Sequence, residues 1–319
     1  MNNKLDISVV VPLYNEAESL PELVAWIDRV AVSHGYAYEV ILVDDGSSDG
    51  SWEVVESLRE KSPAIRGIGF ARNYGKSAAL YCGFAAAEGE VVITMDADLQ
   101  DDINVIDRFV EKYMEGCDVV YGVRNKRETD TFFKRTTAEG FYKFMKILGV
   151  DVVFNHADYR LMSRRALEGL SEYKEVNLFL RGIVPLIGFK SDYVYYDRAE
   201  RFAGESKYPL KKMISFALDG ITSFSVKPLK LISNLGILIS VLSIFGLLYA
   251  LISHLCGVTV AGWTAIVASI WLLGGLQMLC LGVVGGYIGK IYSEVKQRPR
   301  FLIETHLKAE PEEKVLDEH

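Results

Sequence analysis

The chain has 319 residues, of which 50% are hydrophobic, and its formal net charge is −7 at pH 7. This length suits one soluble domain with a small membrane part, and the acidic balance weighs against nucleic acid as a partner. The four cysteines lack metal-ligand spacing, so neither a zinc site nor a disulfide framework is expected.

Short β-branched runs alternate with helical patterns over the first 125 residues, which predicts crossover units and a largely parallel sheet. Ligands of such open sheets bind outside the carboxyl ends of the strands, so the residues that follow each strand are the candidates for function. The strands are predicted at 7–12, 39–43, 65–70, 91–95 and 119–122, and the helices at 18–32, 51–61, 76–87 and 105–115.

The first two predicted strands end in the polar motifs PLYNE (12–16) and VDDGSSD (43–49). The carboxylate of Asp44 can accept a hydrogen bond from a base N–H, and Tyr14 offers a stacking face for a pyrimidine ring. A simpler interpretation gives Asp45 and Ser48 roles in the turn and the helix cap, and Tyr14 a role in packing.

The fourth predicted strand ends in MDADLQ (95–100). In an extended backbone Asp96 and Asp98 point to the same side, so two carboxylates converge on one spot. Hard oxygen ligands at this spacing suit Mg²⁺ or Mn²⁺ held together with a diphosphate. The alternative is that acidic residues merely end the strand and cap the next helix, with Asp101 and Asp102 in that role.

Together these strand ends resemble those of the inverting GT-A-fold glycosyltransferases of family two, over residues from about 8 to 208. Within that family the chain is most similar to the polyisoprenyl-phosphate hexosyltransferases, which include dolichyl-phosphate mannose synthases and bacterial glucosyltransferases acting on undecaprenyl phosphate. The other motifs that carry the resemblance are ARNYGKSAAL, ADYRLMSR and RFAGESKY.

The resemblance implies an α/β fold of the GT-A type, with a Rossmann-like and mostly parallel sheet. It also implies inverting transfer of a hexose from a nucleotide sugar to polyprenyl phosphate, with glucose from UDP-glucose as the expected donor. Other donors of the GDP-mannose, UDP-N-acetylglucosamine or UDP-aminoarabinose type stay open, as does a non-catalytic membrane-tethered binder of nucleotide sugars.

The resemblance implies a role for each of several residues. Those that would contact the nucleotide sugar are Pro12, Tyr14, Glu16, Asp44, Asp45, Lys76 and Asp96. Those that would hold the divalent cation are Asp96, Asp98 and Gln100. Those that would bind the acceptor phosphate are Arg124, Arg127, Arg135, Arg201 and Lys207, although a solvated basic face near anionic lipid is an alternative for each. The catalytic residues would be Asp158 and Arg124.

Asp158 matches the carboxylate that this family is usually proposed to use as general base. A phosphate monoester has a second pKa of about 6, so the acceptor is mostly dianionic at neutral pH without a base from the protein. We therefore expect Asp158 to orient the acceptor or to complete its deprotonation, with a milder effect of Asp158→Asn above pH 8 than at pH 6. His156 is an alternative base, but a loop histidine without an identified partner is more often structural.

Residues 231–289 contain no Asp, Glu, Lys or Arg. Because about 20 residues of helix cross the hydrocarbon core, the run predicts two membrane helices, at roughly 231–253 and 263–289. Lysines flank the run on both sides, which by the positive-inside rule places both ends in the cytoplasm. The alternative is a hairpin buried in a large soluble core.

The predicted organisation is that of an integral protein of the cytoplasmic membrane, with the catalytic domain and both termini in the cytoplasm. Its parts are a GT-A domain over 1–206, amphipathic interfacial helices over 207–230, two transmembrane helices over 231–291 and a cytoplasmic tail over 292–319. An ordinary packed surface helix is the alternative for 207–230. Glycines along the predicted spans allow close helix contact in lipid, which favours a homo-oligomer, either a tetramer or a dimer.

Overall fold

The computed structural model describes residues 6–125, 156–175, 180–197, 225–256 and 262–308. The chain divides into two compact units. The first unit is made of segments that precede and follow those of the second in the sequence. The first unit comprises Met1–Arg135, Val153–Tyr208 and Pro299–His319, and the second comprises Thr136–Val152 and Pro209–Arg298.

The first unit alternates strands and helices. Its strands are β1 (Ile7–Leu13), β2 (Tyr38–Asp44), β3 (Ile65–Phe70), β4 (Val91–Thr94), β5 (Val119–Arg124), β6 (His156–Ser163), β7 (Ser191–Tyr196) and β8 (Ile303–Leu307). Its helices are α1 (Leu20–His34), α2 (Ser51–Lys61), α3 (Lys76–Ala86), α4 (Val105–Met114), α5 (Arg164–Ser171) and α6 (Leu180–Leu186).

All eight strands form one sheet in the order β7-β5-β6-β4-β1-β2-β3-β8. Four of the seven pairings are parallel, and the other three are antiparallel. The predicted Rossmann-like, mostly parallel sheet of the GT-A type is thus confirmed. Strand β6 runs antiparallel between β4 and β5, so its first residues lie beside the carboxyl end of β4.

The core lies around the central strands, whose side chains are buried on both faces of the sheet. Val9, Val11 and Ile93 are among them, which explains why these strands are continuous apolar runs in the sequence. Helix α3 lies so close to β1 that a β-carbon at Gly83 would overlap the side chain of Val10. This close packing fixes α3, and with it Lys76 at its first turn, against the sheet.

The segment after residue 302 forms a strand where the sequence predicts only a tail. Strand β8 pairs antiparallel with β3, with Leu307 opposite Gly67 and His306 opposite Ile68. Just before it, the ring of Phe301 stacks on that of Phe70 with centroids 5.0 Å apart. The C-terminal segment therefore forms one edge of the catalytic sheet.

The second unit contains two long helices, α7 (Lys227–Leu255) and α8 (Trp263–Val295), which occupy both predicted spans and extend beyond them. Among the residues that the structure describes, one segment, Leu272–Val295, is long and apolar enough to cross a membrane, with a mean hydropathy of 1.6. A transmembrane hairpin of both helices stays a prediction. Most of the predicted interfacial segment, 207–224, lies outside the described residues.

Candidate active site at the carboxyl edge of the sheet

The site begins where β4 ends, because β6 returns there from the opposite direction. Thr94 pairs with Arg160 across the two strands, and the Thr94 hydroxyl donates a hydrogen bond to the backbone carbonyl of Asp158. The acidic turn after β4 and the first residues of β6 consequently share one edge of the sheet.

Lys76 joins this edge to helix α3. Its Nζ lies 2.5 Å from Oδ1 of Asp96 and 2.8 Å from Oδ2 of Asp158. Burial alone would lower the pKa of Lys76, but the two carboxylates raise it above its ordinary value. Lys76 is therefore a charged bridge between the turn after β4 and strand β6.

Asp158 accepts hydrogen bonds from two arginines as well as from Lys76. Arg181 binds both of its oxygens, with Nε 3.0 Å from Oδ1 and Nη2 3.1 Å from Oδ2, and Nη2 of Arg160 lies 3.0 Å from Oδ1. Burial would raise the pKa of Asp158, but Lys76, Arg181 and Arg160 hold it well below its usual range. Asp158 is therefore ionised and held by three cations, and its predicted catalytic role stays a prediction.

Arg160 itself is almost completely buried, with 1% of its surface exposed. Within the described part of the chain its Nε and Nη1 have no hydrogen-bond partner. Burial lowers the pKa of this guanidinium, and a buried cation with unpaired donors is costly. Arg160 therefore adds positive charge to the site, and its single hydrogen bond to Asp158 leaves two of its nitrogen donors unpaired.

The acidic turn is sharply bent. Leu99 has a φ of 58°, a conformation that costs energy for a residue other than glycine. The backbone N–H of Gln100 donates to Oδ1 of Asp98 over 3.3 Å, and the side chain of Gln100 is buried. The predicted metal ligands Asp96, Asp98 and Gln100 are thus gathered on one tight turn.

No cluster of three or more His, Cys, Asp or Glu side chains in a metal-holding arrangement occurs among the described residues. The turn instead offers the Asp96 and Asp98 carboxylates. Mg²⁺ is commonly bound by one or two carboxylates, with the remaining ligands from water and substrate phosphates. The donor set present fits a cation of that kind.

Arg124, at the end of β5, contacts the acidic turn from the other side. Its Nη2 lies 3.3 Å from Oδ1 of Asp101 and its Nε lies 3.3 Å from the hydroxyl of Tyr196. Burial would lower the pKa of Arg124, whereas Tyr196 and Asp101 raise it. The predicted catalytic arginine is therefore fixed and charged next to the candidate metal turn.

The carboxyl ends of β1 and β2 meet beside this turn. Asp44 accepts hydrogen bonds from the backbone N–H of Ser47 at 3.1 Å and from its hydroxyl at 2.5 Å. Asp45 accepts from the backbone N–H groups of Tyr74 at 2.6 Å and Gly75 at 2.9 Å. Asp45 therefore braces the loop between β3 and α3, and its predicted contact with the nucleotide sugar stays a prediction.

Tyr14 follows β1 and has 49% of its surface exposed, so its ring is available for stacking. The residue after it, Asn15, has a φ of 56° and accepts a hydrogen bond from the backbone N–H of Ser48 over 2.8 Å. This bond ties the loop after β1 to the loop after β2. Pro12 lies within β1 opposite Val43.

Residues 8–171 match the family profile named Glycosyl transferase family 2. The chain belongs to this family. It is 50% identical to the glycosyltransferase YkoT of Bacillus subtilis, over 94% of this chain and 92% of that protein. It is 40% identical to the prophage bactoprenol glucosyl transferase homolog of Escherichia coli, over 94% of this chain and 98% of that protein, and 39% identical to the bactoprenol glucosyl transferase of Shigella phage SfX, over 94% and 99%.

Several residues predicted for this family 2 glycosyltransferase cannot be placed. Arg127, Arg135, Arg201 and Lys207 lie outside the described residues, as does the side chain of His156. Their roles toward the acceptor phosphate stay predictions. Glu16 is described, and its backbone carbonyl and one carboxylate oxygen accept hydrogen bonds from the hydroxyl of Ser19.

Arg181 is one of the site residues that the sequence does not predict, as are Arg160 and Tyr196. Arg181 lies at the start of α6, in the apolar run LFLRGIVPLIGF (178–189). An isolated charge within such a run is a signal that it has a partner, because burying an unpaired charge is costly. The sequence does not tell which carboxylate that partner is.

Proposed function

We propose that this family 2 glycosyltransferase moves glucose from UDP-glucose to polyprenyl phosphate, with inversion at the sugar. One observation carries the proposal: acidic and basic side chains lie together at one edge of the sheet. The acidic turn of Asp96 and Asp98 lies there with Lys76 and Arg124, and Asp158 lies beside it with its bound cations. The words bactoprenol glucosyl transferase in the names of two relatives support glucose and a polyprenyl carrier as the substrates.

The reaction is one displacement at the anomeric carbon. An oxygen of the lipid phosphate forms the new bond, the bond from carbon to the diphosphate oxygen breaks, and its electron pair leaves with the nucleoside diphosphate from the opposite face. A dianionic phosphate needs no proton acceptor at neutral pH. The low pKa of Asp158 is consistent with such a base-independent displacement.

The protein's contribution is to stabilise charge on the leaving diphosphate. Asp96, Asp98 and Gln100 would hold Mg²⁺ or Mn²⁺, which would supply Lewis-acid stabilisation of that charge. Lys76 and Arg124 add fixed positive charge on either side of the same turn. Tyr14, Asp44 and Pro12 would contact the nucleotide, with the exposed ring of Tyr14 against the base.

Chain connectivity supports two membrane crossings. Strand β8 follows α8 but belongs to the same sheet as the strands that precede α7. A chain that leaves a folded domain and returns to it must cross a membrane an even number of times. A crossing by Leu272–Val295 therefore requires a second one, for which α7 has the length and most of its residues lie in the uncharged run.

We therefore propose an integral protein of the cytoplasmic membrane whose catalytic domain and termini lie in the cytoplasm. We also propose the domain limits given above, with an interfacial segment over 207–230. The protein would assemble as a dimer or a tetramer. A catalytic domain held at the surface suits an acceptor whose phosphate is presented by the bilayer.

The test is sugar transfer by the full chain, purified in detergent, with a short polyprenyl phosphate and Mg²⁺ or Mn²⁺. Radiolabelled UDP-glucose, GDP-mannose and UDP-N-acetylglucosamine are offered separately, and chloroform-soluble label is counted. We expect label from UDP-glucose to exceed that from the other donors. Transfer from another donor alone would overturn the choice of sugar, and no lipid-linked label from any donor would overturn the proposed function.

A further inference from the structure

The ion pair between Arg181 and Asp158 differs from a single charge contact because both carboxylate oxygens are engaged. A guanidinium that donates two parallel bonds fixes the plane of a carboxylate as well as its distance. Arg160 donates a single bond to the carboxylate, at Oδ1, and the carboxylate can still rotate about such a bond. Arg181 is therefore the residue that sets the direction of Oδ2.

Oδ2 of Asp158 is also the atom that faces Lys76, at 2.8 Å. A lysine ammonium on its flexible four-carbon stem has no preferred direction of its own, so its partners decide where it lies. The other partner of Lys76 is Asp96, which under the proposed function shares its charge with a cation and the donor. In the loaded enzyme Asp158 would then be the remaining fixed anchor of Lys76.

Arg181 is well placed for this task and contributes little to the core. Its helix is held by the buried side chains of Leu180, Ile183 and Val184, whereas 37% of the Arg181 side chain is exposed. Substitution at Arg181 therefore opens no core cavity, and the helix that carries it keeps its apolar contacts.

We propose that Arg181 is a positioning residue for sugar transfer, which orients the carboxylate of Asp158 so that this carboxylate places the Lys76 ammonium beside the leaving diphosphate. This inference rests on the proposed function for its substrates. In this proposal Lys76 stabilises the negative charge on the leaving diphosphate, and Asp158 holds the Lys76 ammonium in place.

The chain offers a matched control in Arg165, which binds both oxygens of Asp118 in the same way at the opposite end of the sheet. We compare Arg181→Gln and Arg181→Lys with Arg165→Gln and Arg165→Lys. A displacement of about 1 Å at a catalytic group can cost on the order of 100-fold in rate. We expect Arg181→Gln to lower kcat by about 10-fold to 100-fold, Arg181→Lys to restore little of it, and both Arg165 variants to stay near wild type.

A cycle with Lys76→Met separates positioning from a general structural effect. If Arg181 acts through Lys76, Arg181→Gln has little further effect on kcat once Lys76 is replaced. If the fold losses in kcat of the two single variants multiply in the double variant, the two residues act independently and the proposal is wrong. A wild-type kcat in Arg181→Gln would also overturn it. Thermal unfolding of each variant checks that the protein is folded at the assay temperature.

A second readout does not depend on turnover. The rate at which acetic anhydride labels Lys76, followed by mass spectrometry at fixed pH, reports whether its ammonium is held. We expect faster labelling in Arg181→Gln and unchanged labelling in Arg165→Gln, and equal rates in all three proteins would contradict the inference. If the wild type transfers no sugar to lipid, the proposed function fails, while the labelling result still decides whether Arg181 positions Lys76.

Discussion

Two aspartates at opposite ends of the catalytic sheet each bind an arginine through both oxygens, yet their surroundings differ. Asp118 pairs with Arg165 and accepts one further bond from the hydroxyl of Ser163 at 2.9 Å. Asp158 pairs with Arg181 and is also bound by Lys76 and Arg160. One cation and a hydroxyl satisfy the first carboxylate, whereas three cations surround the second.

The pKa values of both carboxyl groups are lowered, but by different numbers of cations. At Asp118 the hydrogen bond from Arg165 is the largest effect, whereas at Asp158 burial is the largest single effect and three cations together outweigh it. The additional positive charge at Asp158 is partly balanced by Asp96, through Lys76, and is available to an anionic ligand. The two ends of the sheet therefore differ in charge. Under the proposed function, the three cations at the carboxyl end serve to bind an anionic ligand, and the pair at the amino end has no such role.

Among substitutions that test this contrast, Asp98→Ala at the carboxyl end should have the largest effect on sugar transfer. Removing one of the two candidate metal ligands should lower transfer by on the order of 1,000-fold, because charge stabilisation of the leaving diphosphate is lost. The unfolding temperature should fall only slightly, since Asp98 is partly exposed and its loss removes one long hydrogen bond, from the backbone N–H of Gln100. Transfer is measured with and without a chelator, and turnover that persists in chelator would contradict metal dependence.

The next effect is that of Asp158→Asn, for which the structure changes the expectation drawn from the sequence. In the structure Asp158 holds three cations, and its carboxylate is ionised at pH 6 and at pH 8 alike. We expect a loss of about 100-fold at both pH values, since the anchor charge is removed equally. A clearly smaller loss at pH 8 would restore a role in deprotonation.

The lowered pKa of Asp158 predicts how stability depends on pH. A carboxyl group whose folded pKa is depressed stabilises the protein above its unfolded pKa of about 3.9, and this contribution is lost as pH falls toward the folded value. The difference in unfolding temperature between the wild type and Asp158→Asn should therefore shrink as the pH is lowered below about 4. A constant difference across that range would show that the Asp158 carboxyl is not held in its ionised form.

Much of this comparison could be predicted from local sequence, and part of it could not. Strands β1 to β5 and the acidic turn carry their own signals, because buried parallel strands are β-branched runs and Asp96 directly follows one. Arg181 and Asp158 are 23 residues apart. The antiparallel insertion of β6 brings Asp158 to Lys76, and α6 brings Arg181 to Asp158. Such register is decided by tertiary packing, which local propensity does not report. Strand β8 pairs with β3 across more than half of the chain, so local sequence does not predict it either.

A moderate effect is expected at the C-terminal edge of the sheet. Phe301 stacks on Phe70, and the backbone N–H of Ala71 donates to the carbonyl of Leu302 over 3.3 Å. These contacts hold the start of the loop that leads to Lys76, whose other end is held by Asp45. Phe301→Ala should raise KM for the nucleotide sugar about 10-fold or less, because the loop loses one of its two supports.

Matched substitution at the neighbouring Leu302 provides the control for Phe301→Ala. Leu302 has 57% of its surface exposed, and Leu302→Ala keeps the backbone bond to Ala71. Its KM should stay near that of the wild type. Equal KM values for both variants and the wild type would show that the C-terminal segment does not influence the donor site.

The smallest effect on activity is expected from Arg165→Gln. The Arg165 side chain is 66% exposed, and exposed ion pairs contribute little to stability because water and salt screen them. Transfer should remain within about twofold of the wild type, with a slightly lower unfolding temperature at neutral pH. That decrease should vanish in acid, because the lowered pKa of Asp118 makes its stabilising charge disappear as the pH falls through the folded value. A loss of transfer as large as that of Arg181→Gln would mean that any broken pair of this geometry disturbs the sheet, and the functional distinction between its two ends would be wrong.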